Sequence, residues 1–288
     1  MKKAPSRARS YLASLPLELL WIISGYLPSY RDVAPLVRVN RLFFHAFTSR
    51  LYQRNRDEAR SALETALVWA AVNGRLDTAL QAYNVGVTGI PSELVAFASR
   101  YGHYDVVRFF FEKACQDKSK PYRETNLHRG LSFALTRGHE PVVTYLVEQG
   151  VWLGRQYPLA GATVLHLASQ LRYPAMTKLL LEHGAEVEAR CVLRRTPLHL
   201  ASRSAATRES LKHLLEFGAD VNARDIQDDT PLHWAAFERN WDAVHLLLKH
   251  GGDREARNSS GQTPLKRAQG SGHFDWVVAH LLHPELYY

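Results

Sequence analysis

Four threonines constrain the fold of this chain more tightly than any other feature. Thr163, Thr196, Thr230 and Thr263 are separated by 33, 34 and 33 residues. Each opens a related tetrad: Thr163-Val-Leu-His166, Thr196-Pro-Leu-His199, Thr230-Pro-Leu-His233 and Thr263-Pro-Leu-Lys266. A period of this size means one supersecondary unit per repeat. Such a unit cannot bury its apolar face alone and is stable only when stacked on its neighbours. The chain therefore extends along one axis, and its 288 residues say little about the number of domains.

The repeat can be phased on one small residue: Ala70, Ala98, Ala134, Ala168, Ala201, Ala235 and Ala268. A small side chain there lets adjacent helix pairs approach closely. Four residues on stands Gly74, Gly102, Gly138 or Gly272, where a turn between helices favours a left-handed backbone, while Arg172 and Arg239 hold that place in two other repeats. A second helix follows with apolar residues at helical spacing, as in Val142-Val143-Leu146, Leu211-Leu214-Leu215 and Val244-Leu247-Leu248. Gly150, Gly184, Gly218 and Gly251 stop these helices. Within the tetrad, Thr caps the first helix, Pro occupies its first position and Leu enters the core.

The Thr-Pro-Leu-His-x-Ala pattern at this period resembles the ankyrin repeat. The resemblance implies an all-α solenoid of about seven repeats with short β-hairpin turns, spanning 57–288 and clearest over 161–288. The first three repeats are irregular. Ala70 and Ala98 are only 28 residues apart, and the 36-residue step from Ala98 to Ala134 holds a longer connector, CQDKSKPYRETN. The fifth repeat carries an extra residue in SRSAATRES.

The N-terminal part is built differently. Residues 1–10, MKKAPSRARS, are basic with little to bury, which predicts a disordered tail. Residues 11–56 predict three short helices. Leu15-Pro16 starts the first, Leu19, Leu20, Ile23 and Leu27 recur along it, and Pro28 stops it. Asp32 caps the second, with Pro35 in its first turn and Leu36, Val37 and Val39 as its apolar side. The third carries Phe43, Phe44, Phe47 and Leu51. Three helices of this size bury little surface alone, so they need a partner or the neighbouring array.

The segment SLPLELLWIISGYLPSYRDVAPLVRVNRLFFHAF resembles an F-box, and its position ahead of the array resembles fungal F-box/ankyrin proteins. This resemblance implies docking on the Skp-type adaptor of a cullin–RING ubiquitin ligase. Leu15, Pro16, Leu19, Leu20, Ile23, Leu27, Leu36 and Val39 would supply the apolar surface. A small private core, or a cap on the first repeat, is the alternative use of the same residues.

Charge bears on the partner. The formal net charge is +8, but residues 1–60 hold eleven Lys/Arg against four Asp/Glu, which leaves the array nearly neutral. That distribution argues against a nucleic-acid stripe. No apolar run approaches the ~18 residues of a membrane span, and no apolar signal region follows the basic tail, so an intracellular chain without membrane association is expected. Cys115 and Cys191 stand alone, without zinc spacing.

Neither a phosphate-binding glycine loop nor a nucleophile elbow occurs. His166, His199 and His233 recur at the repeat spacing and cannot converge on a metal, so a structural role is expected for them. The expected protein is not an enzyme and needs no cofactor.

The ankyrin resemblance implies binding of a protein through the hairpin tips and the exposed ends of the first helices. The matching helix-end positions include Arg100, Tyr101, Thr136, Arg137, Gln170, Leu171, Arg203, Ser204, Phe237 and Glu238. The tips include Val192, Leu193, Arg195, Ile226, Gln227 and Asp229. Arg100, Arg137 and Arg203, with Arg172 beside them, would make a concave site for an acidic or phosphorylated peptide. Ordinary solvated helix residues are the competing reading of each Arg.

Overall fold

The computed structural model describes residues 67–84, 93–116, 124–157 and 160–270. The F-box-like segment, and with it Leu15, Pro16, Leu19, Leu20, Ile23, Leu27, Leu36 and Val39, lies outside the described residues. So does everything after Gly270. The chain divides into two compact units, Met1–Tyr122 and Arg123–Tyr288.

In the first unit, helical residues 67–73 are followed by α1 (Leu76–Asn84), α2 (Glu93–Arg100) and α3 (Tyr104–Gln116). Ala70, Ala79, Ala82 and Ala98 have no exposed surface, and Phe110 fills the largest fully buried position. His103 ties the repeats together, its Nε2 lying 3.0 Å from the Val72 carbonyl oxygen. Its ring covers Gly74, where an added Cβ would come within 2.5 Å of the imidazole.

The second unit alternates first and second helices. The first helices are α4 (Glu124–Arg137), α6 (Val164–Gln170), α8 (Pro197–Ala201), α10 (Pro231–Phe237) and α12 (Pro264–Gly270). The second helices are α5 (Glu140–Glu148), α7 (Pro174–Glu182), α9 (Arg208–Glu216) and α11 (Trp241–Lys249). First helices pack on first helices and second on second, giving two layers with the core between them. All the phasing alanines within the described residues, Ala70 to Ala268, are fully buried. Leu165, Leu198 and Leu232 enter the same core at 0–1% exposure. Truncating any one would cost about 2–5 kcal/mol.

Two irregularities have local explanations. The extra residue of the fifth repeat is taken up by a 3₁₀ turn, Ala205–Thr207, ahead of α9. Ser204 Oγ accepts from the Ala206 N–H at its start, and Thr207 Oγ donates to Ala201 and Ser204 carbonyls. The connector expected between the second and third repeats is partly helix, because α3 runs to Gln116 and α4 begins at Glu124.

The hairpin turns also differ from expectation. Among the described residues there is no strand. Two backbone bonds close each turn instead: Cys191 N–H to Arg195 O with Arg194 N–H to Cys191 O, Asp225 N–H to Asp229 O with Asp228 N–H to Asp225 O, and Asn258 N–H to Gln262 O with Gly261 N–H to Asn258 O. No helix of the described residues is long and apolar enough to cross a membrane.

Candidate functional site

Each repeat separates side chains that hold the solenoid from side chains that it leaves exposed. The first group begins with the histidines. The Thr196 N–H donates to His199 Nδ1 at 3.1 Å, so Nδ1 carries no proton and Nε2 does. Nε2–H then donates to the Asp229 carbonyl at 3.1 Å, in the next repeat. His166 does the same between Thr163 and the Arg195 carbonyl, and His233 between Thr230 and the Gln262 carbonyl. Burial disfavours the charged ring and pushes His199 down to about 4. Burial also lowers His166 and His233, partly offset by the same carbonyl bonds. Neutral rings that use both nitrogens for staples have none left for a metal.

The tips are stapled as well. Val192 N–H donates to Ala160 O, Ile226 N–H to Leu193 O and Ser259 N–H to Gln227 O, each at 3.0 Å. A side-chain ladder runs beside them. Gln156 Nε2 reaches Arg190 O, Arg190 Nη1 reaches Arg224 O and Arg224 Nη1 reaches Arg257 O. Successive tips are thereby held in register without strands.

Behind the tips lies a buried polar cluster. Asp225 Oδ1 accepts from the N–H groups of Gln227 and Asp229, and Oδ2 from Trp234 Nε1 at 3.2 Å. Arg195 pairs with Asp225 at 3.6 Å, and its guanidinium carbon lies 4.3 Å from the Trp234 ring centroid. Arg203 lies against the same ring at 5.3 Å and pairs with Glu238 at 3.1 Å. Arg267 pairs with Asp229 at 3.0 Å and lies 5.2 Å from the Phe237 ring.

This geometry corrects one expected site residue outright. Asp229 is not an exposed tip residue. It has no exposed surface, and its carboxylate takes a bond from Asn258 Nδ2 at 2.8 Å besides the Arg267 pair. A buried carboxylate must be paired, and here the next repeat supplies both partners. Arg203 also departs from expectation, since Glu238 compensates its charge; the two expected binding residues bind each other. Arg195 is likewise drawn inward by Asp225 rather than offered at a tip.

Arg137 and Arg172 are exposed in the second unit. Arg100 and Tyr101 belong to the first unit, where both are exposed and the Arg100 guanidinium sits 5.9 Å from the Tyr101 ring centroid. Phe237 is 40% exposed and Ile226 56%, so both are accessible. Val192, at 65%, and Leu193, at 40%, are accessible too.

Some residues of this surface carry no weight in the linear motif. Arg194, Asp228 and Arg239 are non-glycine residues with positive φ, at 56°, 55° and 60°. The signal for the first two is present in the repeat: the residue two before the tetrad Thr is Gly161 or Gly261 in the flanking repeats, with φ of 62° and 70°. Trp234 and Arg267 occupy the position after the tetrad, where Leu167 and Leu200 stand in other repeats. Their roles follow from which acids they meet, and that is tertiary information.

Comparison with known families gives one finding. The family described as ankyrin repeats, in three copies, matches residues 131–225 and 198–286, together more than half of the chain. No curated protein matches the chain.

Proposed function

Because the chain belongs to the ankyrin-repeat family, we propose that it is an adaptor which holds a protein substrate on the array and docks a Skp-type protein through residues 11–56. Ankyrin repeats serve as protein-interaction scaffolds, and that much follows from family membership. The observation that carries the reading further is the division of labour within the repeat. Thr196, His199, Ala201 and Asp229 are buried, whereas Val192, Leu193, Ile226 and Phe237 spend apolar surface on solvent. Exposed apolar and aromatic surface is the kind that marks a protein-interaction site, and Arg is among the residues that anchor one.

The ubiquitin-ligase part of the proposal rests on the F-box resemblance of residues 11–56. Leu15, Pro16, Leu19, Leu20, Ile23, Leu27, Leu36 and Val39 would form the docking surface. Arg100, Tyr101, Arg137, Arg172, Phe237 and Ile226 would contact substrate, with Arg203 and Glu238 available to a partner only by exchange of their mutual pair. The chain itself would carry out no chemical step. It would raise the effective concentration of a substrate at the conjugating enzyme, where positioning alone lowers the barrier substantially.

Co-purification of the full chain with a Skp-type protein tests this. The wild-type chain is expected to retain it, and Leu15→Ala with Leu19→Ala to lose it while the array remains folded. Failure of the wild-type chain to bind would leave an ankyrin scaffold without a ubiquitin link.

A further inference from the structure

Two neighbouring tips, 191–195 and 225–229, combine two features among the described residues. They carry Val192, Leu193 and Ile226, exposed by 65%, 40% and 56%. Leu193 and Ile226 stand at the two ends of one backbone hydrogen bond, Ile226 N–H to Leu193 O at 3.0 Å, so the two tips adjoin through their backbones. At the left-handed position of the turn the flanking tips use Gly161 and Gly261, whereas these two use Arg194 and Asp228. A side chain is strained there and glycine is not. The strain is greater at Arg194 than at Asp228, since Asp tolerates this region, and it is consistent with an Arg194 side chain kept for contact.

The charge at these tips is one-sided. Arg190, Arg194 and Arg224 are exposed. The acids are mostly withdrawn: Asp225 and Asp229 are fully buried, and Asp228 is half-buried. Arg195, the remaining base, is committed to Asp225. What faces solvent is apolar surface with exposed arginines beside it; Arg190 and Arg224 each give one N–H to a carbonyl of the next repeat and keep their charge. The bonds from Val192 N–H to Ala160 O, from Ile226 N–H to Leu193 O and from Ser259 N–H to Gln227 O hold these turns in a fixed row. A row of fixed contact points is matched by an extended chain, and a rigid row costs little ordering on binding.

We propose that the 191–195 and 225–229 tips are the docking surface for an extended segment of a partner protein in which apolar side chains alternate with Asp or Glu. This rests on the substrate-binding part of the adaptor reading and deepens it by naming the chemistry of the segment that the tips would take. It does not depend on Skp docking. An anionic nucleic-acid strand would satisfy the guanidinium groups but leave the Val192, Leu193 and Ile226 strip without a partner.

Selection from a random peptide display library on the full chain tests the proposal, followed by fluorescence anisotropy with synthetic copies of the enriched peptides. Enriched sequences should place Leu, Ile, Val or an aromatic beside Asp or Glu. Leu193→Asp with Ile226→Asp should weaken them by about thirty-fold or more, the range of an interface hot spot. Leu193→Ser with Ile226→Ser should weaken them in the same direction and guards against a folding defect in the charged variant. Arg194→Gly separates binding from folding: it should raise the melting temperature and still weaken the peptide.

Lys212→Glu, at an exposed position of α9 rather than on a tip, should leave affinity within about twofold, because surface charges outside the docking surface contribute little. Peptides that are basic or lack apolar residues would overturn the proposal, as would no enrichment at all. So would binding that survives both tip variants, or competition by a single-stranded RNA that is equally insensitive to them. Loss of Skp co-purification would leave every one of these results unchanged, so the two readings fail separately.

Discussion

His199 donates through Nε2 to the backbone carbonyl of Asp229, 3.1 Å away and thirty residues later in the chain. The Asp229 carboxylate in turn holds Asn258 at 2.8 Å and Arg267 at 3.0 Å. One aspartate therefore joins three successive repeats, its main chain facing back and its side chain forward. The residue at the base of this tip is a fastener of the array.

Asp229→Ala is expected to destabilise the array by about 3 kcal/mol, the size of effect when one partner of a buried pair is removed. Asn258 would lose its acceptor and the partly buried Arg267 its ion-pair partner. Asp229→Asn keeps an oxygen for Asn258 but loses the charge for Arg267, and should fall between. Urea unfolding measures both. Unchanged stability with a lost partner would restore Asp229 to the recognition surface.

Acid should loosen the staples before it protonates most surface carboxylates. The His199 value in the fold, about 4, lies below its ordinary value of 6.5 because burial disfavours the charged ring. The fold therefore favours the neutral form. Its contribution is complete above 6.5 and is lost as pH falls toward about 4. For His199 the loss is on the order of 3 kcal/mol. His166 and His233 shift in the same direction and add to it. Denaturant melts between pH 7 and 4 should show a shallower pH dependence for His199→Gln than for the wild-type chain. Equal slopes would mean that the ring titrates alike in folded and unfolded chains.

Glycine should relieve strain where the backbone is left-handed and a side chain is present. Arg239→Gly, at φ 60°, is expected to stabilise the array by about 1 kcal/mol. Asp228→Gly, at φ 55°, should gain less, since Asp tolerates this region better than Arg. Thermal melts of the two variants give the comparison. A loss of stability in Arg239→Gly would mean that its side chain contributes more than its backbone costs.

The fold was legible because its determinants are local and periodic. The phasing alanines, the tetrad threonines and the histidines each do the same job in every regular repeat, so spacing alone identifies them. The site was less legible because its polarity is decided across repeats. Asp228 and Asp229 are adjacent and chemically identical, yet the second is buried because Asn258 and Arg267 come to meet it. Arg203 looks like a solvated helix residue until Glu238, thirty-five residues on, is seen to pair with it. Hairpin polarity in a sequence does not distinguish a solvated turn from a fastening one. Arg194 and Asp228 were readable in principle, since the aligned position is Gly161 or Gly261 in the flanking repeats.

The adaptor account stands most directly on stoichiometry. Light scattering on the full 32.7 kDa chain mixed with an excess of a Skp-type protein gives it in one measurement. A single species with the summed mass of one copy of each, absent with Leu15→Ala and Leu19→Ala, is the predicted result. Two separate species at micromolar concentration, with the chain folded, would contradict the account.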